Sequence, residues 1–533
     1  MKHKQKLYIL SILCLCIMSR INAQISGIYG SDTITSSVAR DYINDIEFDD
    51  HGNMYVVGRT DRLVGSTTYY YAPILKFNPQ GQLVQSIKTT IAETFSIKKV
   101  SDGNLVVCGT GNGLLCNTVC KKDMWVVKID TSANFLWGRS FGNIINDGND
   151  IACDIAEDAS GNIIVTGQVY ITGYDVRTFL CSLNQQGDTL WTRVYGRNSG
   201  WQTGKCVAVS STGNIYMGGS GLNSGPLLTK HSGNGDLLWA KAYSSGFGTI
   251  FGIYEQNNGS LTLAAENIVS GNNVLCVFNV NADGTLNWSK KITLNDANRK
   301  IYTRGTWEDA SGNIYFAGYH YDGINYTGYT PYLIKLDASA NLIWAKHYTD
   351  GYGKGSVLTT HPTQGIVFGG EHISNEMTQW WSHQPEFWLI HMDDNGQTDC
   401  FSDMPVTIQN HTLAPLTKSF TRFFNYTSAI PLPSSGLLDV YKKPKCSNTL
   451  GISQHEEVQF EIYPNPATSQ IKIKATPILF GSSYKIYDQL GQVILKGILS
   501  DENTTIDLGN LSGGIYLFSV GENLKQKFKV IKE

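Results

Sequence analysis

The sequence predicts an all-β protein: a seven-bladed β-propeller followed by a small C-terminal β-sandwich of the immunoglobulin-like kind. Three observations predict this fold. The 533-residue chain is rich in glycine (54) and in aromatic residues (11%) but poor in charge (16%), and its apolar runs are short, alternating and separated by glycine turns. A similar unit recurs seven times over most of the chain. The last segment keeps the alternation but does not contain the unit.

The repeat is marked by a turn glycine in each unit, as in "DASGNIIVTG" and "DASGNIYFAG". The seven turn glycines lie 46 to 58 residues apart and are Gly52, Gly103, Gly161, Gly213, Gly259, Gly312 and Gly365. A full unit predicts four strands, for example "DIACDIAED", "NIIVTGQV", "TFLCSLN" and "LWTRVYG". One such sheet leaves both faces exposed, so neighbours must stack on it, and seven units stacked around an axis form a propeller. A solenoid of the same units would need polar end caps, which the sequence lacks.

The two ends of the repeat region predict how the ring closes. The segment "ISGIYG" from Ile25 aligns with the fourth-strand segment "LWTRVYG" from Leu190, whereas the last unit, "FWLIHMDDNGQTDCF" from Phe387, lacks its Trp-containing strand. We therefore expect the first strand of the mature chain to complete the last blade by backbone hydrogen bonds.

Two recurrent features receive structural interpretations. In "DASGN" the glycine supplies a positive φ and the Asp and Ser bond the turn backbone, an interpretation favoured over a calcium site because each turn offers too few oxygen ligands. Tryptophan recurs at one position of five units, which predicts packing between blades: Trp137, Trp191, Trp239, Trp288 and Trp344.

The N-terminus has the order of a secretory signal. Lys2, Lys4 and Lys6 precede the apolar run "LYILSILCLCIM" and the exit "SRINAQ", so we expect a signal peptide over residues 1–23. No later stretch has the ~20 apolar residues of a transmembrane helix, and 42 basic against 45 acidic residues without a basic cluster argue against nucleic-acid binding. The expected domains are a propeller over 24–446 with an extension from about 397 to 446, a linker over 447–457 and a tail domain over 458–533.

Nine cysteines follow the predicted signal peptide. Four lie in apolar strand-like runs, where burial as small hydrophobic residues is expected: Cys153, Cys181, Cys206 and Cys276. The disulfide candidates are Cys116 with Cys120 and Cys400 with Cys446. A zinc site at Cys116 and Cys120 is disfavoured because no second Cys or His pair stands at ligand spacing, and we expect neither metal nor cofactor.

The repeat resembles the β-propeller repeats of bacterial exported proteins, the class described as SBBP or PQQ-like repeats. The resemblance covers Gln24 to about Gly396 and implies the architecture alone, because propellers serve binding, scaffolding and catalysis.

The tail contains "VQFEIYPNPATSQIKIKA", "SSYKIYDQLGQVILKG", "TTIDLGNLSGGIYLFSV" and "QKFKVIKE". It resembles the C-terminal sorting domain of type IX secretion substrates from Bacteroidetes. The residues that carry the resemblance are Tyr463, Pro464, Asn465, Pro466, Tyr487, Asp488, Gly491, Gln492, Leu511, Gly513, Gly514, Tyr516 and the basic segment Lys527 to Lys532. The resemblance implies passage through the outer-membrane translocon, removal of the tail by a sorting peptidase, and either release or attachment to the cell surface.

The candidate ligand site lies on one rim of the predicted propeller. The hairpin turns of one rim are short and uniform, whereas the loops of the other are long, variable and aromatic, so function is expected on the second rim. The candidate ligand-binding residues are Tyr69, Tyr70, Tyr71, Trp201, Tyr319, Tyr321, Tyr326, Tyr352, Trp380 and Trp381. Any single ring among them has packing of its own loop as its alternative role.

Two classes of function remain open. A surface or secreted binding module for a glycan or protein predicts an aromatic rim without a titratable cluster. An extracellular enzyme acting on polysaccharide, or a quinoprotein-like oxidoreductase, predicts ionisable groups converging on the axis. No HExxH, phosphate-loop or CxxCH motif occurs, and no catalytic residue is assigned, so the binding module is favoured.

Overall fold

The computed structural model describes residues 27–30, 38–444 and 460–533 apart from short internal segments, of which the longest are 112–121, 374–385 and 423–434. The regular structure of these residues is entirely β-strand, and they contain no helix of the length and apolarity that would cross a membrane. The predicted signal peptide lies outside the described residues. The chain forms two compact units, Met1–Asn448 and Thr449–Glu533.

The first unit is a seven-bladed β-propeller in which each blade is an antiparallel sheet. Blades 1 to 6 each contain four consecutive strands, numbered from the axis outward. Blade 1 comprises β2 (Val38–Phe48), β3 (Met54–Val64), β4 (Thr67–Phe77) and β5 (Leu83–Thr89). Blade 2 comprises β6 (Ile91–Lys99), β7 (Leu105–Gly111), β8 (Asp123–Ile129) and β9 (Phe135–Phe141). Blade 3 comprises β10 (Ile151–Glu157), β11 (Ile163–Thr172), β12 (Asp175–Leu183) and β13 (Thr189–Gly196). Blade 4 comprises β14 (Gln202–Val209), β15 (Ile215–Gly221), β16 (Gly225–His231) and β17 (Leu237–Ala242). Blade 5 comprises β18 (Gly248–Glu255), β19 (Leu261–Val269), β20 (Asn272–Val280) and β21 (Leu286–Leu294). Blade 6 comprises β22 (Arg299–Glu308), β23 (Ile314–Asp322), β24 (Thr327–Leu336) and β25 (Leu342–Tyr348).

Blade 7 closes the ring with a strand from the other end of the propeller. It contains β26 (Tyr352–His361), β27 (Gly365–Ile373) and β28 (Glu386–Met392), and its fourth strand is β1 (Gly27–Gly30). Strand β1 pairs antiparallel with β28 through Gly27 with Leu389 and Tyr29 with Phe387. The innermost strands of neighbouring blades contact one another in an unbroken circle, β2 to β6, β10, β14, β18, β22, β26 and back to β2. The predicted blade number and the predicted closure are both confirmed.

The hairpin turns have the predicted chemistry. Asp158 Oδ1 accepts hydrogen bonds from the backbone N–H of Ser160 and Asn162, each at 2.8 Å, and the Asn162 amide donates to Asp158 Oδ2 at 2.9 Å. The turn Gly161 has φ +79°. The Asp158 carboxylate therefore bonds the backbone of its own turn, as the structural interpretation predicts.

The recurrent tryptophans pack against the next blade, as predicted. A Cβ placed on Gly187 of blade 3 would lie 2.6 Å from the ring of Trp137 in blade 2, and Gly235 has the same relation to Trp191. The Trp137 indole N–H also donates to the carbonyl of Gln185 at 2.9 Å. At Gly187 and Gly235 the close approach between ring and backbone therefore requires glycine, whereas the equivalent turns of blades 2 and 6 hold Ala133 and Ala340 at positive φ.

The extension after blade 7 forms a feature that the sequence did not predict. Its strands add a fifth, outermost strand to six blades in reverse order around the ring, and we call residues 397–444 the belt. The strands are β29 (Phe401–Asp403) on blade 6, β30 (Val406–Asn410) on blade 5, β31 (Leu416–Thr417) on blade 4, β32 (Thr421–Arg422) on blade 3, β33 (Ser435–Leu437) on blade 1 and β34 (Tyr441–Pro444) on β1 of blade 7. Met404 and Leu413 of the belt are buried, each 5% exposed.

The second unit is a small sandwich of two sheets. One sheet has the order β35 (Phe460–Tyr463), β36 (Gln470–Ala475) and β39 (Asn503–Asp507); the other has the order β38 (Val493–Ile498), β37 (Ser483–Tyr487), β40 (Gly514–Val520) and β41 (Lys527–Lys532). The two sheets share one apolar core that includes Ile473, Ile486 and Phe518. The predicted sandwich is confirmed.

Candidate ligand site on the propeller axis

The innermost strand of every blade carries a β-bulge at the same level. The pairing register slips by one residue between Ile43 and Asp45 in β2, and the equivalent slip recurs in β6, β10, β14, β18, β22 and β26. A bulge leaves one residue unpaired and turns it away from the regular alternation. Seven blades therefore place seven extra residues around the axis.

These seven residues all line one axial cavity of about 450 Å³. We call them the bulge ring, which in blade order is Asn44, Phe95, Cys153, Lys205, Phe251, Arg304 and Ser356. The ring combines two aromatic rings, two cations, an amide, a hydroxyl and a thiol. A cavity of this size and mixed lining is typical of small-ligand sites.

The carboxylates that line the cavity are held by the protein itself. Asp45 Oδ2 accepts from the backbone N–H of Ile97 at 2.9 Å and lies 3.9 Å from Lys98 Nζ. Asp154 Oδ2 accepts from the backbone N–H of Val207 at 2.9 Å. Each aspartate thus ties its blade to the next blade, although burial still raises the pKa of Asp154.

A third carboxylate at the cavity belongs to a charged network. Glu93 Oε2 lies 3.1 Å from Arg59 Nη1, whose guanidinium also contacts Asp61 and stacks over the Tyr42 ring at 4.4 Å. Asn44 of the bulge ring donates to Glu93 Oε1 at 3.3 Å. Tyr42 and Glu93 come before the bulges of β2 and β6, and Arg59 and Asp61 come after the bulge level on β3, which runs in the opposite direction. The network therefore lies on the side of the cavity that faces the rim of the variable loops.

Blade 7 places another charged pair at the same level. Lys354 and Glu371 face one another across β26 and β27, and both interact electrostatically with Arg304. Burial raises the pKa of Glu371, although the Lys354 cation opposes that shift, and burial lowers the pKa of Lys354. In blade 5, burial raises the pKa of Glu266 to about 7 even though its Oε2 accepts from the Thr303 N–H at 3.0 Å. Ionisable groups thus gather near the axis, the arrangement expected of the enzyme and not of the binding module.

Two predicted tyrosines of blade 6, Tyr319 and Tyr321, form a buried stack with Tyr302 and Tyr329 beside this cluster. Tyr319, Tyr321 and Tyr329 are 6–8% exposed, and the Tyr302 ring stacks on Tyr319 at 5.5 Å. The Arg304 guanidinium lies 5.6 Å from the centre of the Tyr319 ring. The rings therefore pack on one another and support cations at the mouth of the cavity, and they offer no open stacking face.

The other predicted aromatic residues are spread over separate blades. Tyr69, Tyr70 and Tyr71 lie on β4, because the segment expected to be a loop continues as a paired hairpin of β3 and β4. Tyr70 is 43% exposed, Trp201 is 39% exposed and stands edge-on to Tyr170 at 5.8 Å, and Tyr352 is half-buried at the start of β26. Tyr326, Trp380 and Trp381 lie outside the described residues. The described candidates do not form one continuous aromatic face.

The cysteines fall into two groups. Cys153, Cys181, Cys206 and Cys276 are free and buried, as predicted, and Cys108 is like them. Cys400 forms a disulfide bond, and its partner lies outside the described residues. The other disulfide candidates, Cys116, Cys120 and Cys446, also lie outside the described residues. Among the described residues no group of His, Cys, Asp or Glu is arranged to hold a metal ion.

The motif residues of the tail have local structural roles. Tyr463, Pro464, Asn465 and Pro466 are exposed at the end of β35, where Asn465 Oδ1 accepts from the N–H of Ile531 in the final strand at 2.8 Å. Asp488 Oδ1 accepts from the Gln492 N–H at 2.9 Å across the turn after Tyr487, and Gly491 lies outside the described residues. Gly513 and Gly514 lead into β40, where the hydroxyl of Tyr516 donates to the Ser512 carbonyl at 2.7 Å.

Sequence reasoning missed the bulge ring although a signal for it exists. The extra residue interrupts the strict alternation that predicts strands, so it is easily taken for an ordinary core or surface position. Aligned on the turn glycines, however, the ring residue stands eight positions upstream in six units and nine in the seventh. The variety of residue types at that one position marks it as a candidate site.

Fold and site together define a class: a β-propeller with a polar axial cavity, followed by a separate β-sandwich tail. Residues 461–533 match the family described as secretion system C-terminal sorting domain. This tail confirms the predicted sorting domain, and the protein is secreted to the extracellular space or the outer face of the cell surface.

Three solved structures illustrate the wider similarity. A protein of unknown function from Dyadobacter fermentans shares 10% identity, with 69% of this chain and 98% of that chain covered and a TM-score of 0.38. The polysaccharide lyase Uly1 shares 10%, with coverage of 66% and 90% and a TM-score of 0.40. PorZ of Porphyromonas gingivalis, an essential surface component of its type IX secretion system, shares 13%, with coverage of 92% and 81% and a TM-score of 0.25. No curated protein matches the chain.

Proposed function

We propose that this secreted propeller is an extracellular binding module that takes a saccharide into its axial cavity from the rim of the variable loops. The observation that carries the proposal is the bulge ring, because seven equivalent distortions of seven strands bring one side chain each to a single cavity of about 450 Å³. Propeller closure does not require the six different residue types that the seven blades have at that position. Hydroxyl, amide, charged and aromatic groups in one cavity are suited to the alternating polar and apolar surface of a sugar.

The proposal moves the predicted site from the outer aromatic rim to the axis. The stacked tyrosines of blade 6 support cations instead of facing solvent, while Phe95 and Phe251 of the bulge ring line the cavity. The rim of the variable loops remains the entrance to the cavity. Tyr42, Glu93 and Lys354 lie just before the bulges of their strands, on the side of that rim, and Glu371 lies opposite Lys354.

A glycan array probed with the secreted chain tests this proposal. We expect binding to a restricted set of saccharides, loss of binding when Ser356→Trp fills the cavity, and retention of binding in Trp201→Ala, which removes an exposed ring outside it. Circular dichroism must show both variants folded, and Phe95→Ala provides a second, smaller change at the cavity. Loss of binding in Trp201→Ala with full binding by Ser356→Trp and Phe95→Ala would place the site on the rim and overturn the proposal.

A second candidate, a polysaccharide-cleaving enzyme, is favoured by one observation. Glu371 lines the cavity with a pKa raised by burial, the property of a carboxyl that can act as a general acid near neutral pH. Incubation of the bound saccharides with the secreted chain, followed by measurement of new reducing ends, separates the two functions. Cleavage that disappears in Glu371→Gln supports the enzyme; binding without cleavage supports the module.

We further propose that the tail engages the type IX translocon and is removed by a sorting peptidase. The match over residues 461–533 supports this route. Mass spectrometry of the secreted protein would show a C-terminus in the predicted linker, 447–457, if the tail is removed. A secreted product that retains Glu533 would contradict removal.

A further inference from the structure

Two cations of the bulge ring stand at the cavity without a close carboxylate partner. Lys205 and Arg304 are exposed and line the cavity, and neither has a carboxylate within 4.0 Å among the described residues. Three lining carboxylates are engaged elsewhere: Asp45 and Asp154 accept from backbone N–H groups, and Glu93 pairs with Arg59. The fourth, Glu371, has a pKa raised by burial and faces Lys354 across β26 and β27. Lys205 and Arg304 can therefore offer positive charge to a ligand without breaking a salt bridge of their own.

The two cations flank an aromatic ring. Lys205, Phe251 and Arg304 occupy the same bulge position on three consecutive blades, 4, 5 and 6. Arg304 is held in place by the Tyr319 ring beneath its guanidinium at 5.6 Å, which limits the conformational freedom lost on binding. A half-buried Phe251 between two cations offers a flat apolar surface with a positive charge on either side.

This arrangement matches a sugar ring that carries an acidic group. The ring's C–H face packs on an aromatic side chain, and a carboxylate or sulfate accepts charge-assisted hydrogen bonds from Arg and Lys. A neutral sugar would leave both cations without a partner inside the cavity. An acidic peptide lacks the flat ring that Phe251 would cover.

Resting on the proposed function, we infer that the ligand is an anionic saccharide whose acidic group binds between Lys205 and Arg304 while its ring packs on Phe251.

Paired probes test the charge directly. The secreted chain is titrated with tetragalacturonate and with its methyl ester, in which each carboxylate becomes a neutral ester, and with a sulfated galactan oligosaccharide and its desulfated form. We expect at least one anionic member to bind roughly tenfold or more tightly than its neutral partner, and the preference to weaken as salt is raised, because the paired interaction is charge-assisted. The two pairs distinguish a carboxylate ligand from a sulfate ligand.

Matched variants locate the preference. Lys205→Met and Arg304→Met should each reduce binding of the anionic probe by roughly tenfold and leave any binding of the neutral probe unchanged. Lys418→Met on the belt, outside the ring, should change neither. Because both ring cations are exposed, these changes should not impair folding, which thermal unfolding verifies.

The outcomes separate the two claims. Equal binding of charged and neutral partners, or an anionic preference that survives in Lys205→Met and Arg304→Met, overturns the anionic inference and leaves the saccharide-binding proposal in place. Absence of binding to every saccharide of the array and of these pairs overturns both.

Discussion

At the scale of single residues, the propeller depends on backbone conformations that only some positions require. Gly103 and Gly187 have nearly the same φ, +81° and +80°, but different surroundings. A Cβ on Gly103 would meet nothing within 4 Å, whereas one on Gly187 would lie 2.6 Å from the Trp137 ring. The first glycine serves the turn alone, and the second also serves the contact between blades.

This pair gives a stability prediction. Gly103→Ala should reduce the free energy of unfolding by about 1–2 kcal/mol, because a left-handed conformation is disfavoured for alanine. Gly187→Ala should reduce it by about 2–5 kcal/mol, because overpacking against Trp137 adds to the same penalty. Denaturant unfolding measures both, and equal effects of the two changes would contradict the proposed packing role.

Glu266 gives a pH prediction. Its pKa is raised from 4.5 to about 7 by burial, so the folded state holds a proton that the unfolded chain releases. Its contribution to stability is present below pH 4.5 and is lost as pH rises toward and through about 7. As pH rises from 4.5 to above about 7, the free energy of unfolding of the wild type should fall by up to about 3 kcal/mol more than that of Glu266→Gln.

Urea unfolding of both proteins at several pH values from 4.5 to 8 measures the difference. Glu47, Asp154 and Glu371 also have pKa values raised by burial, so the comparison with the variant isolates the share of Glu266. Parallel stability curves for the two proteins would show that Glu266 ionises freely.

At the scale of elements, the belt converts the outer edges of six blades into paired strands. An exposed edge strand is a template for aggregation, and the belt covers such edges with strands of two to five residues. Its attachment is uneven, because Leu413 is buried with Tyr243 and Ile253 whereas Leu416 is 44% exposed on β31. The belt therefore relies on a few anchoring side chains as well as on backbone pairing.

The two leucines test this division. Leu413→Ala should destabilise the propeller by about 2–4 kcal/mol, as expected for truncation of a buried leucine. Leu416→Ala, three residues away in the same belt, should change stability by less than about 0.5 kcal/mol. Thermal unfolding compares them, and a Leu413→Ala protein as stable as the Leu416→Ala protein would mean that the belt is not anchored at Leu413.

Sequence patterns predicted some elements and missed others for physical reasons. Turn glycines and alternating runs predicted the four strands of each blade because hairpins and half-buried strands impose a local period. The belt has no such period, since its short strands alternate over too few residues, and its partners lie far away in sequence. The run of Tyr69, Tyr70 and Tyr71 predicts an aromatic surface loop, whereas in the structure the pairing of β3 and β4 continues through it, with Thr60 opposite Tyr71.

At the scale of the whole molecule, closure joins the two ends of the propeller. Strand β1 pairs with β28 on one side and with belt strand β34 on the other, so three distant segments form one sheet. The repeat predicted the first pairing, because one end had a surplus strand and the other end lacked one. The second pairing and the converging charges on the axis depend on tertiary structure and had no counterpart in the pattern.

Closure predicts the effect of N-terminal truncation. Removal of residues 24–30 should lower the melting temperature and promote aggregation, because it exposes the edge of β28 and leaves β34 unpaired. A protein that begins at residue 24 is the matched control and should be fully stable. Equal melting temperatures for the two would contradict a ring closed by β1.

The axial cavity as the ligand site is the central claim, and a crystal structure of the secreted chain with its bound saccharide tests it most directly. We predict ligand density inside the bulge ring, within hydrogen-bonding distance of Lys205 or Arg304. Density on the outer surface of the blades, with the cavity holding only solvent, would contradict the claim.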